Sequence, residues 1–295
     1  MKQNVDVVIV NCFDTYEHRA ILLKEVFESI GKKVCIITSD YKHIFKMKRD
    51  DFPVDFDPIH VYPYKKNLSA QRLFSHYRFA REAINHLTQE YDNVSLVWFF
   101  VPPNSLVKEA AKYKKGNSQV KVVFDVIDMW PESMPVKTKN MIVNWGFDIW
   151  RNFRNKNLKF ADQIWIECDY YRELLSAQKI NLPMETKYLK LKNAETSIEM
   201  KVSEEEIDLC YLGSINNIID ISLIEKIVSE FAKNKRTRIH IIGDGERKDE
   251  FLDILKKNSI EIIDHGKVYE IDKLQEIFDQ CWFGINVLRE DLAIG

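Results

Sequence analysis

The stretch "IHIIGDGERKDEFL", residues 239–252, decides the fold. It reads as a buried strand that ends in Gly243 and Gly245 and then opens a charged helix. A glycine turn between strand and helix lets the backbone approach a ligand closely. The question is therefore what lies there: a dinucleotide, a sugar nucleotide, or solvent alone.

Outward from this stretch the same pattern repeats. Apolar runs at 5–10, 33–38, 95–101, 120–127, 163–168, 207–213, 260–264 and 282–288 join the run at 239–243. Continuous apolar runs separated by helical patterns predict parallel strands covered on both faces, an α/β doubly wound architecture. Asp14 with Glu17, and Ser222 with Glu225, have capping-box spacing, and Gly31 stands where the first helix should stop. Within that helix Ile21, Leu22, Val26, Phe27 and Ile30 share a face and are expected on the sheet.

The 295 residues suffice for two domains. The boundary is placed in the weakly periodic 196–206 stretch, giving domains 1–198 and 199–295. Net charge is −2, with residues 1–200 leaning basic and the remainder acidic. That is too little positive charge for a nucleic-acid binder, while a basic face toward an anionic membrane stays open. Cys12, Cys35, Cys168, Cys210 and Cys281 are scattered without metal-ligand spacing, so reduced core thiols and a cytosolic location are expected, without a structural metal. No apolar run approaches the ~20 residues that span a bilayer.

Three glycine turns fall at successive strand ends: Gly213-Ser214, Gly243-Asp244-Gly245 and His265-Gly266. Each alone reads as a tight connection, but together, at carboxyl ends of parallel strands, they point to a nucleotide site. In the first domain "DVIDMWPES" (125–133) sets Asp125, Asp128 and Glu132 beside Trp130, either to hold sugar hydroxyls and accept a proton or as a proline-stopped loop. "NCFDTYEHRA" (11–20) carries Phe13, Asp14, Tyr16 and His18, whose bulk argues against a dinucleotide there. Asp55-Phe56-Asp57 has the shape of a metal-holding DxD, with turn acids as the simpler explanation. Ile142, Trp145, Ile149 and Phe153 form a helical stripe read first as core. With "KKNLSAQRLFSHYRFAR" (65–81) this basic aromatic segment is alternatively a lipid-interface element.

Taken in order, "DVIDMWPESMP", "CYLGSINNIIDI", "IIGDGERKDEF", "DHGKVY" and "IFDQCWFGIN" resemble retaining family-four glycosyltransferases of the GT-B fold, those of capsule and exopolysaccharide loci especially. The resemblance implies two Rossmann-like domains facing a cleft, the first for the acceptor, the second for a nucleotide sugar, and no catalytic metal. It implies donor contacts from Gly213, Ser214, Gly243, Asp244, Gly245, Glu246, Arg247, His265, Gly266, Val268 and Arg289. Acceptor contacts come from Phe13, Asp14, Tyr16, His18 and Trp130, and catalytic roles from Asp128 and Glu132.

The function so implied is transfer of a sugar, with retention, from a UDP-linked donor to a lipid-linked oligosaccharide at the inner membrane face. No cofactor beyond that substrate is expected. The alternatives are a sugar-nucleotide epimerase of similar fold and a non-catalytic nucleotide-sugar-binding or partner subunit. The chain departs from the family pattern in "GSINNIID", which lacks the usual Arg and Lys, in the absence of a histidine beside Asp128, and in an expected C-terminal truncation.

Overall fold

A computed structural model of the chain describes residues 2–67, 69–134, 140–188, 203–258 and 260–289. The chain divides into two compact units, one within residues 1–192 and one within 193–293. The boundary expected at 198/199 lies outside the described residues.

In the first unit, β1 (Val7–Asn11) leads to α1 (Glu17–Ser29), β2 (Val34–Ser39), β3 (Phe56–Ile59) and α2 (Ala70–Glu90). Then come β4 (Leu96–Val101), α3 (Asn104–Gly116), β5 (Lys121–Val126), α4 (Met141–Leu158), β6 (Gln163–Ile166), α5 (Asp169–Ala177) and β7 (Met184–Thr186). The strands form one parallel sheet in the order β7-β6-β5-β4-β1-β2-β3. Alternation assigns the faces: Val8 and Val10 join α2, α3 and α5, while Val7 and Ile9 join α1. The strand order reverses between β1 and β4, which is where open sheets of this kind bind ligands.

The second unit repeats the scheme with fewer strands: β8 (Glu206–Leu212), α6 (Ile221–Ala232), β9 (Arg236–Ile242), α7 (Lys248–Lys256), β10 (Glu261–Gly266), α8 (Ile271–Phe278) and β11 (Phe283–Gly284). They pair in parallel as β10-β9-β8-β11. All nine expected strands are present, the last shortened to two residues. The edge strands β3 and β7 were not expected, because "FDPI" and "MET" carry too few apolar residues to register as buried runs.

Several local expectations are corrected. On α1, Ala20, Leu23 and Phe27 reach the sheet with Ile21 beside them, while Val26 and Ile30 are exposed. Steps of four, three and four residues from Tyr16 lead through Ala20, Leu23 and Phe27 and miss Val26, while Ile30 lies beyond the last helical residue, Ser29. Asp14 lies in a 3-10 turn and accepts from the His43 amide at 2.7 Å, and Glu17 pairs with Arg49, so no capping box forms. The cap of α6 is Asp220, accepting from the Leu223 amide at 2.9 Å, rather than Ser222. Gly31 does end α1, with a φ of +79°.

On α4 the stripe read as core points outward: Ile142 is 76% exposed, Trp145 67%, and Ile149 is exposed as well. The buried line of α4 runs instead through Arg154, Asn155 and Leu158. No helix among the described residues is long and apolar enough to cross a membrane.

Candidate functional site

The second unit gathers its glycine turns at one rim. The Gly213 amide donates to the Ile242 carbonyl at 3.0 Å and the Gly243 amide to the Gly266 carbonyl at 2.8 Å. Ile215 donates to the Asp244 carbonyl at 3.0 Å, and Arg247 donates to the Ile215 carbonyl at 3.1 Å. These bonds lace the loops after β8, β9 and β10 into a single surface at the carboxyl ends of the strands.

The glycines have a packing reason of their own. A Cβ at Gly243 would lie 1.9 Å from the Gly213 carbonyl oxygen, and one at Gly245 2.1 Å from that of Ile215. What presses on these two glycines is the neighbouring loop's backbone. Close approach of the loops, in turn, leaves Ser214, Asp244, Gly245 and Glu246 exposed on the rim.

Charges on that rim are paired. Arg247 is tied to Glu250 of its own helix at 2.6 Å, Lys248 to Asp264 at 2.8 Å, and Lys267 to Asp244 at 3.1 Å. Glu246 accepts from Asn217 at 2.5 Å, and the Arg289 amide donates to the Ile218 carbonyl at 2.9 Å. Val268 packs against Cys210, Ile242 and Ile277. His265 meets His240 at 3.0 Å, and burial together with that second imidazole pushes its pKa down. Below the rim a hollow of about 610 Å³ lies along the amino-terminal half of the strands, lined by Glu206, Asp208, Arg238, His240 and Trp282.

The first unit builds a different surface at its strand ends. Phe13 is buried, with edge contacts to Tyr16 at 5.9 Å, His43 at 5.1 Å, His76 at 5.2 Å and Trp130 at 5.8 Å. Asp128 accepts from the Trp130 indole N–H at 2.6 Å and from the Ser133 hydroxyl. Burial pushes the Asp128 pKa up against the pull of those two donors and of Arg72. Burial and the Asp128 charge likewise raise the Tyr16 hydroxyl. The His18 Nε2 is buried without a hydrogen-bond partner among the described residues.

Asp125 and Glu132 do not share that setting. Asp125 points to the α1 face, where Arg19 binds it in a fork at 2.8 and 2.9 Å and Trp98 adds a bond at 3.1 Å. Glu132 holds the wholly buried Arg154 at 2.8 and 2.9 Å, with Gln178 at 2.8 Å and Arg151 at 3.1 Å. Burial alone would raise the Glu132 pKa, but Arg154 outweighs it and holds the carboxyl below its ordinary range. Both Glu132 oxygens are occupied in this way, so its visible task is to fix the 128–133 loop on α4. The DxD acids are likewise engaged: Asp55 pairs with Lys24, and Asp57, on an edge strand rather than in a turn, binds Tyr91 and His86.

Sequence reasoning missed Arg72, His76 and His43. The Arg72 guanidinium lies over Trp130 at 4.4 Å, and His76 stacks on the same indole at 5.9 Å. Thus a histidine does reach the Asp128 loop, but from α2, while His43, from the loop after β2, meets Phe13 and Arg72 beside it. A signal existed: Arg72 and His76 head the buried line of α2 that continues through Phe79, Ala80, Ala83 and Leu87. Polar residues on an otherwise apolar line mark a site.

No protein-family model matches the chain, and no curated protein sequence matches it. Its fold is similar to lipopolysaccharide outer core galactosyltransferase WaaB in the apo form (TM-score 0.62, 12% identity, 96% of this chain and 74% of that one). It is similar also to a glycosyltransferase from Rickettsia africae ESF-5 (TM-score 0.57, 13% identity, 99% and 74%). A third likeness is to Anabaena Alr3699/HepE in complex with UDP and glucose (TM-score 0.53, 10% identity, 95% and 73%). At these identities the likeness establishes architecture: the chain has the parallel-sheet α/β fold of the GT-B glycosyltransferases.

Proposed function

We propose that the chain is a retaining glycosyltransferase of family-four type that moves a sugar from a UDP-linked donor to a lipid-linked oligosaccharide during capsule or exopolysaccharide assembly. The observation that carries the reading is the laced glycine rim of the second unit, at the strand ends where open parallel sheets bind ligands. The UDP bound by the Anabaena neighbour supports the choice of nucleotide. Gly213 and Ser214 then face the donor diphosphate. Lys248 and Lys267, held by rim carboxylates, supply the positive charge that "GSINNIID" lacks.

On the first unit, Asp128, Trp130, Phe13, Asp14, Tyr16 and His18 receive the acceptor. The acceptor hydroxyl attacks the face that the nucleotide leaves, and the departing diphosphate helps to take its proton. Asp128 orients that hydroxyl, a role that needs position more than basicity. The outward apolar face of α4, with Met141, Ile142, Trp145 and Ile149, supports contact with an anionic membrane on the cytoplasmic side.

The decisive experiment is a thermal-shift screen with UDP, GDP and CMP sugars, followed by product analysis with a lipid-linked acceptor. UDP-sugar stabilisation with acceptor-dependent product is expected, and Asp128→Ala, which removes the orienting side chain, should lower turnover ~10²-fold while leaving donor binding unchanged. Donor consumption without acceptor would instead indicate an epimerase or hydrolase. The pairing of Arg247, Lys248 and Lys267 with carboxylates favours one second reading, a donor-binding subunit without turnover. Binding with no product under any acceptor would select it.

A further inference from the structure

We propose that Arg72 is the anion-binding element of the first unit's site, and that the groove beside it takes a hydrocarbon chain ending in phosphate. The inference rests on the acceptor-binding role given to that unit above. Arg72 is only 5% exposed and lines a groove of about 460 Å³. A buried guanidinium is costly without an anion. Yet among the described residues no carboxylate lies within ion-pair distance of it, and its N–H groups reach the Asn67 carbonyl at 3.0 Å, His76 at 3.4 Å, His43 at 3.5 Å and the neutral Tyr64 hydroxyl, none of them an anion.

Both imidazoles are neutral near pH 7: burial, then the Arg72 charge, pushes His43 down to about 3 and His76 well below its ordinary value. The rings of Trp130, Phe13 and Tyr64 close the surroundings at 4.4, 5.7 and 5.7 Å. One fixed positive charge therefore stands in an aromatic cage with no carboxylate in contact with it among the described residues, and Asp128 acts on it only from a distance. The groove wall continues through Leu73 of α2 and Val143, Phe147 and Trp150 of α4, an apolar path suited to a chain and not to free phosphate.

Trp130 also sets the reach of the acceptor. Arg72 covers its face, and its N–H edge binds Asp128. A phosphate on Arg72 thus lies one indole from Asp128, so the sugar that receives the new bond is joined to the lipid phosphate directly or through one further sugar. The substrate class is a lipid-phosphate mono- or disaccharide rather than a long glycan.

Farnesyl phosphate, farnesol and inorganic phosphate, each titrated against the full chain by calorimetry, test this. Farnesyl phosphate should bind about tenfold or more tightly than either of the others. Arg72→Gln should abolish its advantage over farnesol. Leu73→Asn, an uncharged change at an exposed position, should weaken farnesyl phosphate without changing inorganic phosphate. Equal binding of farnesol and farnesyl phosphate overturns the proposal, as does a phosphate preference that survives in a folded Arg72→Gln protein. Should Arg72→Gln fail to fold, the wild-type comparison and Leu73→Asn decide. UDP-sugar titrated in the same samples separates the two readings. Sugar-nucleotide binding without the phosphate preference overturns this inference alone, and absence of sugar-nucleotide binding overturns the transferase reading.

Discussion

The two units solve the same topological problem with different materials. At the strand ends of the second, the surface is backbone: three loops hydrogen-bonded to one another, glycines where the chains touch, and cations neutralised by rim carboxylates. At the strand ends of the first, the surface is side chain: an indole, a phenyl ring, two neutral imidazoles and an arginine with no carboxylate in ion-pair contact among the described residues. Under the proposed function, a backbone surface suits the phosphate that nucleotide-sugar donors share, and a cage of side chains suits one particular acceptor. The contrast would then assign generality to the second unit and specificity to the first.

The largest expected effect would break the side-chain half of that contrast. Glu132→Ala leaves Arg154 buried and uncompensated, and should cost about 3–5 kcal/mol of stability in denaturant unfolding. Emission from Trp130 and Trp150, neighbours at 6.1 Å, should report the loss first. A cost near zero would show that the loop does not depend on this pair.

The backbone half is sharpened by two glycines. Gly243→Ala drives a Cβ into the Gly213 carbonyl and should cost about 3 kcal/mol along with donor binding. Gly266→Ala meets nothing within 4 Å and suffers only its φ of +64°, so about 1–2 kcal/mol is expected. Equal effects would mean that loop contact is not what the glycines serve.

The smallest effect concerns pH. The unfolded chain protonates a histidine near 6.5, whereas folded His76 resists protonation until well below that. Stability should therefore fall as pH drops below about 6.5, the unfolded state binding the extra proton. His76→Gln should flatten that slope in unfolding measured between pH 7 and 5, and His265→Gln, less buried, should flatten it less.

Nine strands were legible as apolar runs, most of them buried on both faces, together with the parallel topology and the glycine turns that end β8, β9 and β10. The edge strands β3 and β7 were not, because "FDPI" and "MET" are too short and too polar to make a run, whereas the edge strands β10 and β11 sit in longer apolar stretches. Helix faces were legible only in part: the outward stripe of α4 has the spacing of a core stripe, and periodicity carries no sign for inside or outside. Among the site residues, Asp128 and Trp130 stood in a local loop and could be read there. Arg72 and His76 come to that indole from a distant helix, and His43 to the neighbouring Phe13 from the loop after β2, and nothing in their neighbours along the chain connects them to it.

By itself, then, the sequence determined the α/β class, the order of strands and helices, and the rim of glycines, since each follows from local periodicity and backbone freedom. Only the tertiary structure decided which carboxylate lies beside Trp130 and which is spent on an arginine, and that one buried guanidinium has no carboxylate within ion-pair distance among the described residues. Those outcomes depend on partners brought together from separate elements, and burial, which sets their charge and their cost, exists only once the chain has folded.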